Sequence, residues 1–169
     1  MPPERIVDVD GRDPERAPIP WRPPSAAGPG AGFTTGEPWL PLVADAEELC
    51  AERQATDPRS TLALFRSAAA LRGAAPALQT GAQRMLDAGE SVLAWVREEA
   101  GDRVLVALNF AAAATTLALA SDATLLLSTD PGRAAGVPQP AGTLQLGPEE
   151  AVVLRLAAVS PALSPAPSS

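Results

Sequence analysis

Hydrophobic positions along this chain recur with two different periods, and one long stretch has no period at all. Between Ser60 and Arg72, residues Leu62, Phe65, Ala69 and Arg72 fall in one row, with Leu64, Ala68 and Leu71 beside it. Spacings of three and four predict a helix with a wide apolar face over 58–72. Asp57-Pro58 offers an N-cap followed by proline at the first helical position, and Gly73 offers the stop. A shorter helix is expected over about 45–53, where Asp45, Glu47 and Glu48 favour the positive end of the helix dipole.

Beyond Pro76 the period changes to two. Ser91–Arg97 sets Leu93, Trp95 and Arg97 against Val92, Ala94 and Val96, and Arg103–Phe110 brings Val104, Val106 and Leu108 together. Glu98–Asp102 between them has the length and glycine of a hairpin connection, with Glu98 and Glu99 at a solvated tip. Gly81–Leu86, Thr115–Leu119, Thr124–Leu127, Thr143–Leu146 and Ala151–Leu156 bring the count to about seven short strands. The expected fold class is mainly β: an antiparallel β-sandwich over 79–159, with Trp95 in its core. The Ser/Pro-rich tail at 160–169 is expected to be disordered.

Residues 1–44 have neither period. Ten of the nineteen prolines fall here, and Pro18, Pro20, Pro23, Pro24 and Pro29 are expected to break any helix. Yet Trp21, Phe33 and Trp39 are too much aromatic mass for a solvated linker, so a long ordered loop lying over another surface is expected. Packing of the three rings explains them more simply than stacking on a ligand.

Composition narrows the chemistry. The net charge of −7 excludes nucleic acid as a natural partner, and all thirteen basic residues are arginines. With no His and a single cysteine, Cys50, neither a common zinc site nor a Ser-His-Asp triad can be assembled from this chain. No metal or other cofactor is expected. Cys50 reads as a small buried hydrophobe, and a lone thiol suits a reducing compartment. No apolar run is long enough to span a membrane, and MPPERIVDVD lacks the apolar core of a secretory signal. Cytoplasm is the expected location.

Two motifs carry a resemblance. Gly11-Arg-Asp-Pro-Glu-Arg-Ala-Pro-Ile-Pro-Trp21 and Ala31-Gly-Phe-Thr-Thr-Gly-Glu-Pro-Trp39 resemble the α-glucosidase and oligo-1,6-glucosidase branch of glycoside hydrolase family 13. Gln54, Asp57-Pro58-x-Ser60, Leu71-Arg72, Pro76-Ala-Leu78 and Val106-Ala-Leu-Asn-Phe110 follow in the family's order, so the likeness covers residues 8–157. Ala17 and Ile19 depart from the family's Thr and Met. The resemblance implies that residues 1–78 are the last βα unit of a (β/α)₈ barrel: a loop arm at 1–44 and the two helices. It also implies that 79–159 is the C-terminal β-sandwich of an α-amylase-type enzyme. Arg16 then corresponds to an arginine at the base of the glucose pocket, where it pairs with an upstream aspartate. The family's catalytic Asp, Glu and His-Asp motifs are absent here, so no catalytic residue is assigned.

Asp13 and Glu15 do not substitute for them, because a retaining glycosidase needs two carboxyls facing each other across the bond. Two readings stay open. In one, the chain is the C-terminal part of an α-glucosidase and works with a catalytic barrel, in cis or as a separate chain, on oligosaccharides. In the other, it is a free-standing, non-catalytic β-sandwich that binds glucan or a protein partner.

Overall fold

The computed structural model describes residues 11–158, so the expectations for residues 1–10 and for the tail at 160–169 lie outside the described residues. The chain divides after Arg66 into two compact units.

In the first unit, the stretch expected to lack helix holds a 3₁₀ turn at Pro14–Arg16 and a one-turn helix α1 (Pro24–Ala27). Proline does not oppose α1, because Pro24 is its first residue, where a backbone N–H would have no helical acceptor. Gly28 ends it at φ 77°, in the left-handed region glycine enters freely. The single helix expected over 45–53 is two: α2 (Ala46–Leu49) and α3 (Ala51–Thr56), separated by extended Cys50. The break has a partner. Ala51 N and Glu52 N, two orphan donors at the start of α3, donate to the carbonyls of Pro20 and Trp21 at 2.9 and 3.0 Å. Cys50 is completely buried at that junction.

Helix α4 (Thr61–Ala74) starts later than the expected 58–72 and runs through Gly73. Ser60 takes the capping role expected of Asp57: its Oγ accepts from Ala63 N at 3.0 Å, and Gln54 Oε1 accepts from Leu62 N at 3.2 Å. Asp57 Oδ1 accepts from Arg59 N instead, closing the turn before the helix. No α4 side chain is buried, and Phe65 is 69% exposed.

The second unit contains α5 (Pro76–Thr80), which strand periodicity gives no hint of, and eight strands. They are β1 (Ala82–Leu86), β2 (Val92–Glu99), β3 (Asp102–Asn109), β4 (Thr115–Leu119), β5 (Ala123–Ser128), β6 (Pro138–Gln139), β7 (Gly142–Leu146) and β8 (Ala151–Leu156). A six-stranded antiparallel sheet, in the order β1-β2-β3-β8-β5-β6, faces a two-stranded layer of β4 and β7. The fold class is therefore mainly β, built on an antiparallel sheet with few helices.

The core lies between the layers, where Val92, Ala94 and Val96 of β2 meet Leu117 and Leu119 of β4 and Leu144 and Leu146 of β7. Trp95 is not in it. It sits half-buried on the opposite face of the sheet, paired with Val106. Likewise the inner residues of β3 are Leu105 and Ala107, while Val104, Val106 and Leu108 share the outer face with Trp95. Both faces of this hairpin are apolar, so alternation fixes the two sets without saying which is inside. Helix α5 lies over one end of the outer face: Arg97 donates to Leu78 O at 3.0 Å and to Gly81 O at 2.8 Å. Val104, on that face, is completely buried.

Candidate functional site

Arg16 closes the 3₁₀ turn, its N–H donating to Asp13 O at 3.1 Å, and its side chain is exposed. Asp13 and Glu15 belong to this same short turn, not to two opposed walls of a cleft. The turn leads through buried Pro18 to Ile19 and Trp21, which line an apolar groove of about 680 Å³ with Leu49, Leu62 and Phe65. Packing does not cover the loop's aromatic rings in this chain: Trp21 is 51% exposed, Phe33 54% and Trp39 85%. The loop carrying Phe33 is nevertheless tight. Phe33 N donates to Gly30 O at 2.8 Å, and a side chain at Gly30 would run into the carbonyl of Thr34.

Charged groups organise the rest of the first unit. Glu47 accepts from Ser25 Oγ at 2.7 Å and Ser25 N at 3.1 Å and pairs with Arg53 at 2.7 Å. The Ser25 hydrogen bonds, with the Arg53 charge, hold the Glu47 carboxyl below its ordinary value. This fastens α1 to α2. Arg22 reaches Glu52 at 3.2 Å in the same way.

In the second unit, sequence reasoning passed over a buried polar cluster at one end of the sandwich. Asn109, at the end of β3, donates through Nδ2 to Ala113 O and Gly147 O and accepts from Ala111 N. Glu150 accepts from Ser128 Oγ, Gly147 N and Arg133. The available signal was a polar residue at the end of an apolar strand, Asn109 closing β3 and Glu150 just before β8. Its partners lie in the turns and strand ends of the same edge and tie them together, so the cluster is structural. Among the described residues no group of three or more Cys, Asp or Glu is placed to hold a metal, and no helix is long and apolar enough to cross a membrane.

Residues 3–81 match the family described as α-amylase, catalytic domain. The chain is 30% identical over 135 residues to a probable oligo-1,6-glucosidase 3 of Bacillus subtilis (strain 168), covering 75% of this chain and 24% of that protein. It is 29% identical over 159 residues to a trehalose-6-phosphate hydrolase of the same organism, covering 89% and 27%. The isomaltulose synthase of Klebsiella sp. LX3 superimposes with a TM-score of 0.73 at 30% identity, covering 87% of this chain and 26% of that one. The chain belongs to the α-amylase family, glycoside hydrolase family 13. It spans about a quarter of the length of these relatives. Within this α-amylase-family chain, the catalytic-domain match ends at Gly81, one residue before β1 begins. Among the described residues, Arg16, the groove and the five α-helices fall inside that match, and every strand falls outside it.

Proposed function

We propose that this chain is the C-terminal part of an α-glucosidase, an enzyme that releases terminal α-linked glucose from oligosaccharides with retention, and that its own role is structural. The observation that carries the reading is the succession at Gly81: catalytic-domain text with helices, then a β-sandwich. In this reading residues 1–78 complete the last βα unit of a barrel, and 79–159 form the C-terminal sandwich. The catalytic carboxylates come from a barrel in the same protein or in a separate chain.

Surfaces left open on each unit support a missing partner. In the first unit it is the groove walled by Ile19, Trp21, Leu49, Leu62 and Phe65. In the second it is a row across the outer face of the sheet, where register aligns Met85, Trp95, Val106, Val153 and Leu127. Apolar surface of this kind marks an interaction site. Arg16 would lie at the base of the glucose pocket and pair with a barrel aspartate, a task suited to its planar, permanently charged guanidinium. It can neither attack an anomeric carbon nor deliver a proton at neutral pH. We assign the chain to the cytoplasm, supported by an unpaired, buried Cys50.

The test is turnover of maltose, isomaltose and a chromogenic α-glucoside by highly purified chain, alone and with a separately expressed family barrel. No hydrolysis is expected from the chain alone, and the barrel should gain stability or activity when the chain is added. Activity that co-purifies with the chain and falls in Arg16→Ala overturns the reading. Binding of a glucan by the chain alone, with no effect on a barrel, would favour a free-standing sandwich.

A further inference from the structure

The two layers of the sandwich do not close along one side. A cleft of about 440 Å³ opens between β1, β2 and β3 on one wall and β4 on the other. Leu86, Leu117, Leu119 and Leu156 make it apolar, and no aromatic residue lines it. Two guanidinium groups face this side of the sheet. Pairing of Arg84 with Val96, and of Arg103 with Glu98, puts both arginines on the same surface as the core residues Val96 and Leu105.

Arg103 is the unusual one. Its Nε lies 3.3 Å from Glu98, whose side chain is 58% exposed. Its Nη1 is buried and has no hydrogen-bond partner among the described residues. A buried, charged donor without an acceptor is costly, and native proteins satisfy such groups almost everywhere. Asp87 also lines the cleft, but it is exposed and accepts from Gly89 N in its own turn.

We propose that this cleft binds a small aliphatic carboxylate, with the chain among the leucines and the carboxylate on Arg103, assisted by Arg84. The volume lies within the range of small-molecule sites, and the mixture of apolar wall and few polar groups is what such sites present. A guanidinium with an unpartnered nitrogen matches a carboxylate oxygen in geometry and charge. A sugar fits poorly, because the walls give it neither an aromatic face nor enough hydrogen-bonding groups.

The experiment is a titration of the full chain with octanoate, 1-octanol and maltose, followed by calorimetry and amide chemical shifts. Saturable octanoate binding is expected to shift the amides of Leu86, Arg103 and Leu117. Arg103→Met should weaken it by at least about tenfold, and 1-octanol should bind more weakly than octanoate by a similar factor. Ala88→Phe, which fills the cleft and keeps both arginines in the chain, should abolish binding and serves if Arg103→Met does not fold. Absence of saturable octanoate binding overturns the proposal. So does equal affinity for the alcohol, indifference to Ala88→Phe, or displacement of octanoate by maltose.

Discussion

Glu150 is 4% exposed at the threshold of β8, and its carboxylate accepts from Ser128 Oγ at 2.6 Å, Gly147 N at 2.7 Å and Arg133 Nη1 at 2.9 Å. Truncating it leaves Ser128 Oγ and Gly147 N without this acceptor and strips the Arg133 guanidinium, only 22% exposed, of its counter-charge, with the Gln145 carbonyl alone at 3.1 Å. Glu150→Ala should therefore cost about 3 kcal/mol, read as a shift of the urea midpoint with an unchanged slope. Glu150→Gln keeps an acceptor and should cost less. Glu47 is the opposite case, an exposed carboxylate whose effect shows in its titration. Its folded value is depressed, chiefly by Ser25, so its contribution is present above the unfolded value and fades as pH falls through the folded one. Ser25→Ala should move the Glu47 titration, followed by carboxyl NMR, upward toward an ordinary glutamate. An unmoved midpoint would show that the Arg53 charge alone sets it.

Hairpins are where elements follow most directly from text. Ala100 and Gly101, at φ 49° and 85°, form the tight turn between β2 and β3, and their register carries all eight pairs from Glu99–Asp102 to Val92–Asn109. Alanine is a poor occupant of the left-handed region, whereas Asn-Gly suits a turn of this hand. Ala100→Asn should raise stability by about 0.5–1 kcal/mol, seen as a higher thermal midpoint. Strands are legible because a period of two survives in six residues; which face is inside is not, as Trp95 demonstrates. One-turn helices are illegible for a related reason. Four or five residues, as in α1 and α5, hold too little periodicity, and the prolines that start them read as breakers. Gly81 shows what such a small element demands. A Cβ there would sit 2.9 Å from both Ala77 Cα and Glu98 O, trapped between α5 and β2. Gly81→Ala should destabilise by about 1–3 kcal/mol and loosen amide protection in α5 first.

At the scale of the whole molecule, family membership was legible and site geometry was not. The motifs around Arg16 and Phe33 identify the family through their spacing, yet an exposed arginine on a 3₁₀ turn shows no site chemistry of its own. What the structure adds is an apolar row on the outer face of the sheet, the surface that the proposed barrel would cover. Val106 and Ala107 are neighbours in β3 and make a direct test of it. Ala107 is completely buried between the layers, whereas Val106 is half-buried in the apolar row on the outer face. A lysine at Ala107 would carry a charge into the core and should prevent folding at ordinary temperature. A lysine at Val106 can extend into water. In the isolated chain, Val106→Lys should change stability by no more than about 1 kcal/mol and should reduce self-association in sedimentation. Paired with a catalytic barrel, the same substitution should abolish co-purification, since the charge would be buried at the contact. A Val106→Lys chain that still binds the barrel at full strength would mean that the barrel sits elsewhere, and that the row from Met85 to Leu127 faces solvent in the assembled protein.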